Sequence, residues 1–287
     1  RPLAAALANA AFPVAGAIGI GIPIVRSRNR RNYFFVGLLV LLGTLALVVH
    51  AALDGFLAFD PLHGVRLGLD VVLFIMVVMA GRVVPMFTNN GIAGLNARRN
   101  PLVEKLSLGS VIALFVFDLL PAQAFPWTGA LAGIVALAAA LANATRLALW
   151  QPWRTFSTPL VWVLHVAYAW IVVHLLLRAG VAAGLVAHSV SVHALTVGGI
   201  GGLTIGMMTR TARGHTARPL RADGFEATMY ALVFAAALVR VFGPIASPEH
   251  LVVFVQASAI LWAAAFGLYV VRAWPVLTRP RLDGKPG

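Results

Sequence analysis

The chain has 287 residues, 60% of them apolar and 11% charged, and no cysteine. This composition excludes a soluble domain with a charged surface. The missing thiols exclude disulfides, thiolate-ligated iron–sulfur clusters and haem attached through a Cys-x-x-Cys-His motif. The net charge of +13 lies in short basic clusters between apolar runs, so it reads as a topology signal with attraction to anionic headgroups, not as a nucleic-acid interface.

Nine apolar runs follow one another, each close to the ~20 residues that cross ~30 Å of hydrocarbon. They cover 3–25, 33–53, 64–87, 103–120, 128–149, 158–178, 188–209, 224–242 and 250–273. Their Leu, Val and Ala blocks show no period of two, which excludes an outer-membrane barrel. The predicted fold is an all-α polytopic transmembrane bundle, a single membrane domain over 1–287 in contact with the lipid bilayer. The second run ends in His50. The third carries Asp70 and Arg82, about 18 Å apart along a helix axis, with Pro85 just beyond to bend it. Segment 88–102 is the longest connection, and Pro101 with Glu104 suits the start of the fourth run. The sixth run holds His165 and His174, and the seventh His188 and His193. Asp223, three residues before Glu226, is a capping-box arrangement for the eighth. Trp127, Trp150, Trp153 and Trp274 fall near run ends, as an interfacial aromatic belt places them.

Basic residues set the orientation, because short loops rich in Lys and Arg stay in the cytoplasm. Arg26, Arg28, Arg30 and Arg31, then Arg98, Arg99 and Lys105, then Arg146 and Arg154, then Arg210, Arg213, Arg218 and Arg221, then Arg272, Arg279, Arg281 and Lys285 fall on alternate connections. The start of the chain therefore faces outward and its C-terminus inward.

A histidine inside an apolar helix needs a partner, and imidazole is a common ligand for haem iron and copper. His50, His165 and His193 meet that condition, whereas His63, His188 and His250 sit where water and headgroups suffice. His165 and His174 fall half a turn out of phase and cannot share one metal on a straight helix. Arg82 has no acidic residue three or four positions away; it holds an anion or snorkels to the interface.

Residues 193–220, HALTVGGIGGLTIGMMTRTARGHTARPL, carry the densest pattern. With each residue advancing about 100° on an α-helix, Gly198, Gly202 and Gly206 form a stripe facing away from His193. Small residues at that spacing let helices approach closely in a bilayer. A stop signal explains the arginines that follow, but it does not explain His215 between Gly214 and Thr216, a grouping that suits an anion contact. Met207 and Met208 are soft enough for copper and equally able to fill gaps.

This segment resembles the signature of the NnrS family of haem- and copper-containing membrane proteins, tied to nitric oxide stress and denitrification. NRRNYFF at 29–35, GRVVPMFTNN at 81–90 and PLVWVLHVAYAW at 159–170 resemble family segments in the same order. The resemblance implies a multi-pass protein of the bacterial inner membrane, with non-covalent b-type haem, copper and nitric oxide as ligands. It implies metal-ligand roles for His50, His165 and His193, and a cofactor role for His215. It makes Arg82, Arg210 and Arg218 candidates for contacts to haem propionates or for ordering loops. Family members have about twelve spans, with an early Trp-His-x-His-Glu-Met motif absent here, so this chain is expected to be the C-terminal three quarters of a longer protein. Ala217 stands where the family usually has glycine, and His174 is atypical.

Two readings from other classes compete. Arg82 and Asp70 within one span suit a transporter or channel without metal, although no inverted repeat or matched pair of broken helices accompanies them. A structural or sensory membrane subunit would tolerate His193→Ala without loss of function.

Overall fold

The computed structural model describes residues 2–120 and 127–285. Helices fill most of it, with no strand among the described residues: α1 (Pro2–Arg26), α2 (Tyr33–Leu53), α3 (Pro61–Gly91), α4 (Pro101–Leu119), α5 (Thr128–Leu149), α6 (Pro159–Ala182), α7 (His188–His193), α8 (Gly201–His215), α9 (Gly224–Ala246) and α10 (Leu251–Leu277). A π-helical segment, Ala194–Ile200, joins α7 to α8 without a break. Each predicted run thus becomes one continuous helical rod. Eight rods are long and apolar enough to cross a membrane; α4 is the other, and it carries Glu104, Lys105 and Asp118. The protein is a multi-pass membrane protein.

The described residues form two compact units. One runs to Met79 and resumes at Val111, and the other comprises Ala80–Ser110 and the chain from Trp127 onward. In the first unit α1 packs along α2, and Gly43 makes the approach possible, since a Cβ there would lie 3.1 Å from Val14 and 3.4 Å from the Ala10 carbonyl. Asp70 is buried in α3.

In the second unit α6 is the central rod, buried from Leu160 through Leu175. The glycine stripe lies against it: Gly198 meets Trp170, Gly202 meets Ala167 and the Phe234 ring of α9, and Gly206 meets Val163 and Leu164. Without a hydrophobic drive between helices in lipid, such close van der Waals packing carries association. The π segment alters the phase expected for this rod. Its i→i+5 turns advance each residue by less than an α-helix does, so the angle between His193 and the glycines is not the one a uniform α-helix gives.

Candidate functional site

Hydrogen bonds bring the basic loops of the second unit to one end. Arg98 N–H donates to the Leu149 carbonyl (3.0 Å), Leu282 N–H donates to that of Thr216 (3.3 Å), and Gln151 Nε2 donates to that of Asn96 (2.9 Å). The loop after α3 therefore meets the loop after α5, and the loop after α8 meets the segment after α10, as alternate basic connections require.

Near this end lies a buried polar network. Arg146 is 1% exposed. Its Nε donates to Glu104 Oε1 (2.9 Å) and its Nη2 to Oε2, while Nη1 donates to the Tyr168 hydroxyl (3.1 Å). Tyr168 donates onward to Asn143 Oδ1, and Asn143 donates to the Ala139 carbonyl. The Arg146 guanidinium also lies over Trp150, 5.4 Å from its ring centre. A Cβ at Gly81 would collide with that guanidinium. Two sequence expectations change here: Arg146 is not a loop charge, and Trp150, fully buried, is not a belt residue. The run boundary at 149 already put Arg146 inside a span, and that was the available signal. Trp127, Trp153 and Trp274 are exposed as a belt requires.

The candidate histidines divide between the two units. In the first unit, Asn9 Nδ2 lies 2.8 Å from His50 Nε2, which supplies the partner an intramembrane imidazole needs. In the second unit His165 is buried, its Nδ1 3.0 Å from the Val161 carbonyl and its Nε2 3.3 Å from Thr88 Oγ1, with the Trp150 ring edge-on. His193 places Nδ1 against the Ser189 carbonyl and Nε2 2.9 Å from Arg240 Nη2. His174, also buried, places Nδ1 2.7 Å from the Ser191 carbonyl, and its Nε2 has no hydrogen-bond partner among the described residues. The nine residues from His165 to His174 span about 13 Å along α6, so His165 and His193 lie at different depths.

A carbonyl oxygen only accepts, so in the neutral rings of His174 and His193 the proton is on Nδ1 and Nε2 carries the lone pair. His165, by contrast, has the Trp150 carbonyl as well as that of Val161 in reach, and the Thr88 hydroxyl facing its Nε2 donates to the Val84 carbonyl. An imidazole that ligates through one nitrogen and donates from the other to a backbone carbonyl has the arrangement of His174 and His193. Of the three Nε2 atoms, that of His193 is engaged by Arg240 and that of His165 faces Thr88. No three His, Asp or Glu side chains converge among the described residues.

Arg210 and His215 line a cavity of about 860 Å³ at the basic end, together with Phe87, the start of α6 and Arg221. Arg210 is 9% exposed, its guanidinium 3.6 Å above the centre of the Phe87 ring. Arg218 lies elsewhere, donating to the Val276 carbonyl (3.4 Å) beside a smaller cavity of about 270 Å³. Arg82 is half-buried in α3.

The loop after α8 closes by a Schellman pattern: Arg218 N–H donates to the Arg213 carbonyl (2.9 Å) and Ala217 N–H to that of Gly214 (3.3 Å). The pattern needs a left-handed residue at Ala217, whose φ is +57°.

The family model for the NnrS protein matches residues 2–281. The chain belongs to the NnrS family. No curated protein and no solved structure matches it. All four segments singled out in the sequence fall inside the NnrS match, and the glycine-rich one forms the α7–π–α8 rod.

Proposed function

We propose that this NnrS-family chain is a bacterial inner-membrane protein that holds non-covalent b-type haem and copper and handles nitric oxide, in nitrosative stress or beside denitrification. One observation carries the reading: three intramembrane histidines in the second unit, His165, His174 and His193, each set Nδ1 against a backbone carbonyl, the orientation of an imidazole that ligates through its other nitrogen. Family membership over nearly the whole chain supports it.

Each residue has a defined task in this reading. The Val161 and Ser189 carbonyls orient the rings of His165 and His193. The Trp150 ring and the apolar wall of α6 keep water from His165. Arg240 donates to His193 Nε2, so it has to turn away before that nitrogen binds anything else. Arg82 and Arg218 supply positive charge for carboxylate substituents such as propionates. His50, held by Asn9, is the candidate ligand of the first unit. When bound, haem would supply the redox centre for a diatomic gas, with the histidine that holds it and the burial around it tuning its potential.

The test is the visible spectrum of the purified protein, oxidised, reduced and after addition of nitric oxide, with copper measured on the same sample. The expected result is a histidine-ligated haem spectrum that shifts with nitric oxide. A folded, colourless and copper-free protein would overturn the reading in favour of a transporter or channel without metal.

A further inference from the structure

The cavity at the basic end raises a question that the haem and copper reading leaves open. Arg210 lies in the last turns of α8, 9% exposed. Lysine and arginine near a membrane interface ordinarily extend their heads into water, and Arg210 does not. Phe87 covers the face of its guanidinium, but the five N–H donors lie in the guanidinium plane, and a cation–π contact uses none of them. No hydrogen bond and no ion pair engages them among the described residues, and the side chain lines the cavity. A nine-tenths buried cation that lines an open space, with no hydrogen bond to its donors among the described residues, suits an anion there.

The rest of the lining agrees. Arg221 and His215 add basic side chains, and no carboxylate is present. Thr158 stands at the N-cap of α6 without a side-chain capping bond, so its hydroxyl is available. The positive end of that 24-residue helix opens on the same space. The opposing C-terminus of α8 is largely neutralised, because Thr216 Oγ1 donates to the Ala212 carbonyl and the Schellman bonds close those of Arg213 and Gly214. Leu160, Val161 and Leu220 supply an apolar wall.

We propose that this cavity binds a phosphate group, carried by an anionic phospholipid headgroup or by a soluble phosphate ester, with Arg210 as its buried anchor and Arg221 and Thr158 completing the donor set. A phosphate matches the guanidinium fork and has oxygens left over for the second arginine and the hydroxyl. Basic pockets between membrane helices at the cytoplasmic side are where anionic headgroups lodge. This site goes beyond the haem and copper reading and stands or falls without it.

The experiment uses the full chain in nanodiscs of phosphatidylcholine, with or without phosphatidylglycerol. Native mass spectrometry counts retained lipid while inorganic phosphate is titrated, and haem content is read on the same samples. Preferential retention of phosphatidylglycerol that phosphate does not displace identifies a headgroup. Phosphate binding in pure phosphatidylcholine discs, or displacement of phosphatidylglycerol by phosphate, identifies the soluble ester. In either case Arg210→Gln and Arg221→Gln weaken binding by about tenfold or more, and Arg98→Gln, on another basic loop, leaves it unchanged. Arg221 is exposed, so its variant carries the test if Arg210→Gln fails to fold. Equal losses in the Arg98 variant, no preference for either probe, or an Arg210→Gln protein that loses haem with unaltered phosphate binding would each overturn the proposal.

Discussion

Arg146 of α5 and Glu104 of the first turn of α4 form a two-point ion pair in which the guanidinium is almost wholly buried and the carboxylate side chain 15% exposed. Removing one partner leaves the other charge without compensation in a low-dielectric site, which typically costs about 3–5 kcal/mol. Arg146→Ala and Glu104→Gln are therefore expected to lower stability by amounts in that range. Near-ultraviolet circular dichroism during thermal unfolding in detergent reads the loss. Variants no less stable than Arg98→Gln would show that the pair holds nothing together.

The glycine stripe makes a steric prediction. At Gly202 a Cβ would lie 2.6 Å from the Phe234 ring and 2.8 Å from the Ala167 Cβ. Gly202→Val has to push α8 away from α6 or α9, at the roughly 1–3 kcal/mol typical of overpacking. Gly109→Val, at a glycine with open space around it, serves as the comparison in the same unfolding measurement.

Ala217 occupies a left-handed backbone conformation that costs a residue with a Cβ roughly 1–2 kcal/mol. Glycine removes that cost and returns part of it as unfolded-state entropy. Ala217→Gly is expected to stabilise the chain by about 1 kcal/mol and to protect the amides of Ala217 and Arg218, measured by hydrogen exchange. Destabilisation would mean that the turn forms differently in solution.

Asp223 caps α9: its carboxylate accepts from the N–H groups of Phe225 and Glu226, Glu226 accepts from the Asp223 N–H in return, and Arg272 pairs with it across to α10. Partial burial raises its pKa, but hydrogen bonding with Glu226 and the neighbouring Arg272 outweigh that and hold it below the usual aspartate value. A carboxyl with a depressed folded-state pKa stabilises fully above the unfolded value of about 3.9. That contribution is lost as pH falls through the folded-state value. Stability measured from pH 6 down to pH 3 is expected to drop less steeply in Asp223→Asn than in the parent, and parallel curves would count against the assignment.

The histidine assignments separate by depth. If His165 and His193 each supply an Nε2 ligand, His165→Ala and His193→Ala each reduce haem or copper content, but not the same cofactor, because the two rings lie at different depths. Metal analysis and the reduced spectrum of each variant decide this. Unchanged content in both would remove them from the site, and identical losses would contradict the separation.

Much of this protein is legible in its sequence because a bilayer imposes one-dimensional rules. Every backbone group in hydrocarbon has to be satisfied within its own helix. Apolar run length therefore located the nine rods. The Asp223–Glu226 cap is equally local, formed within four residues. The close packing of Gly198, Gly202 and Gly206 could also be read from spacing.

What the sequence left open depends on which helix faces which. Arg146 looks like a loop cation until α4, α5 and α6 bring Glu104, Asn143 and Tyr168 to it. Arg210 looks like one more stop-signal arginine until Phe87 of α3 covers its face and leaves its donors on a cavity. The π segment at Ala194–Ile200 breaks the 100° step on which any helical-wheel placement of His193 depends. The composition of a membrane helix reports that it is inserted, since lipid and protein interior are similarly apolar. The burial of a polar side chain among particular partners is decided only by the tertiary packing that sets each helix's rotation.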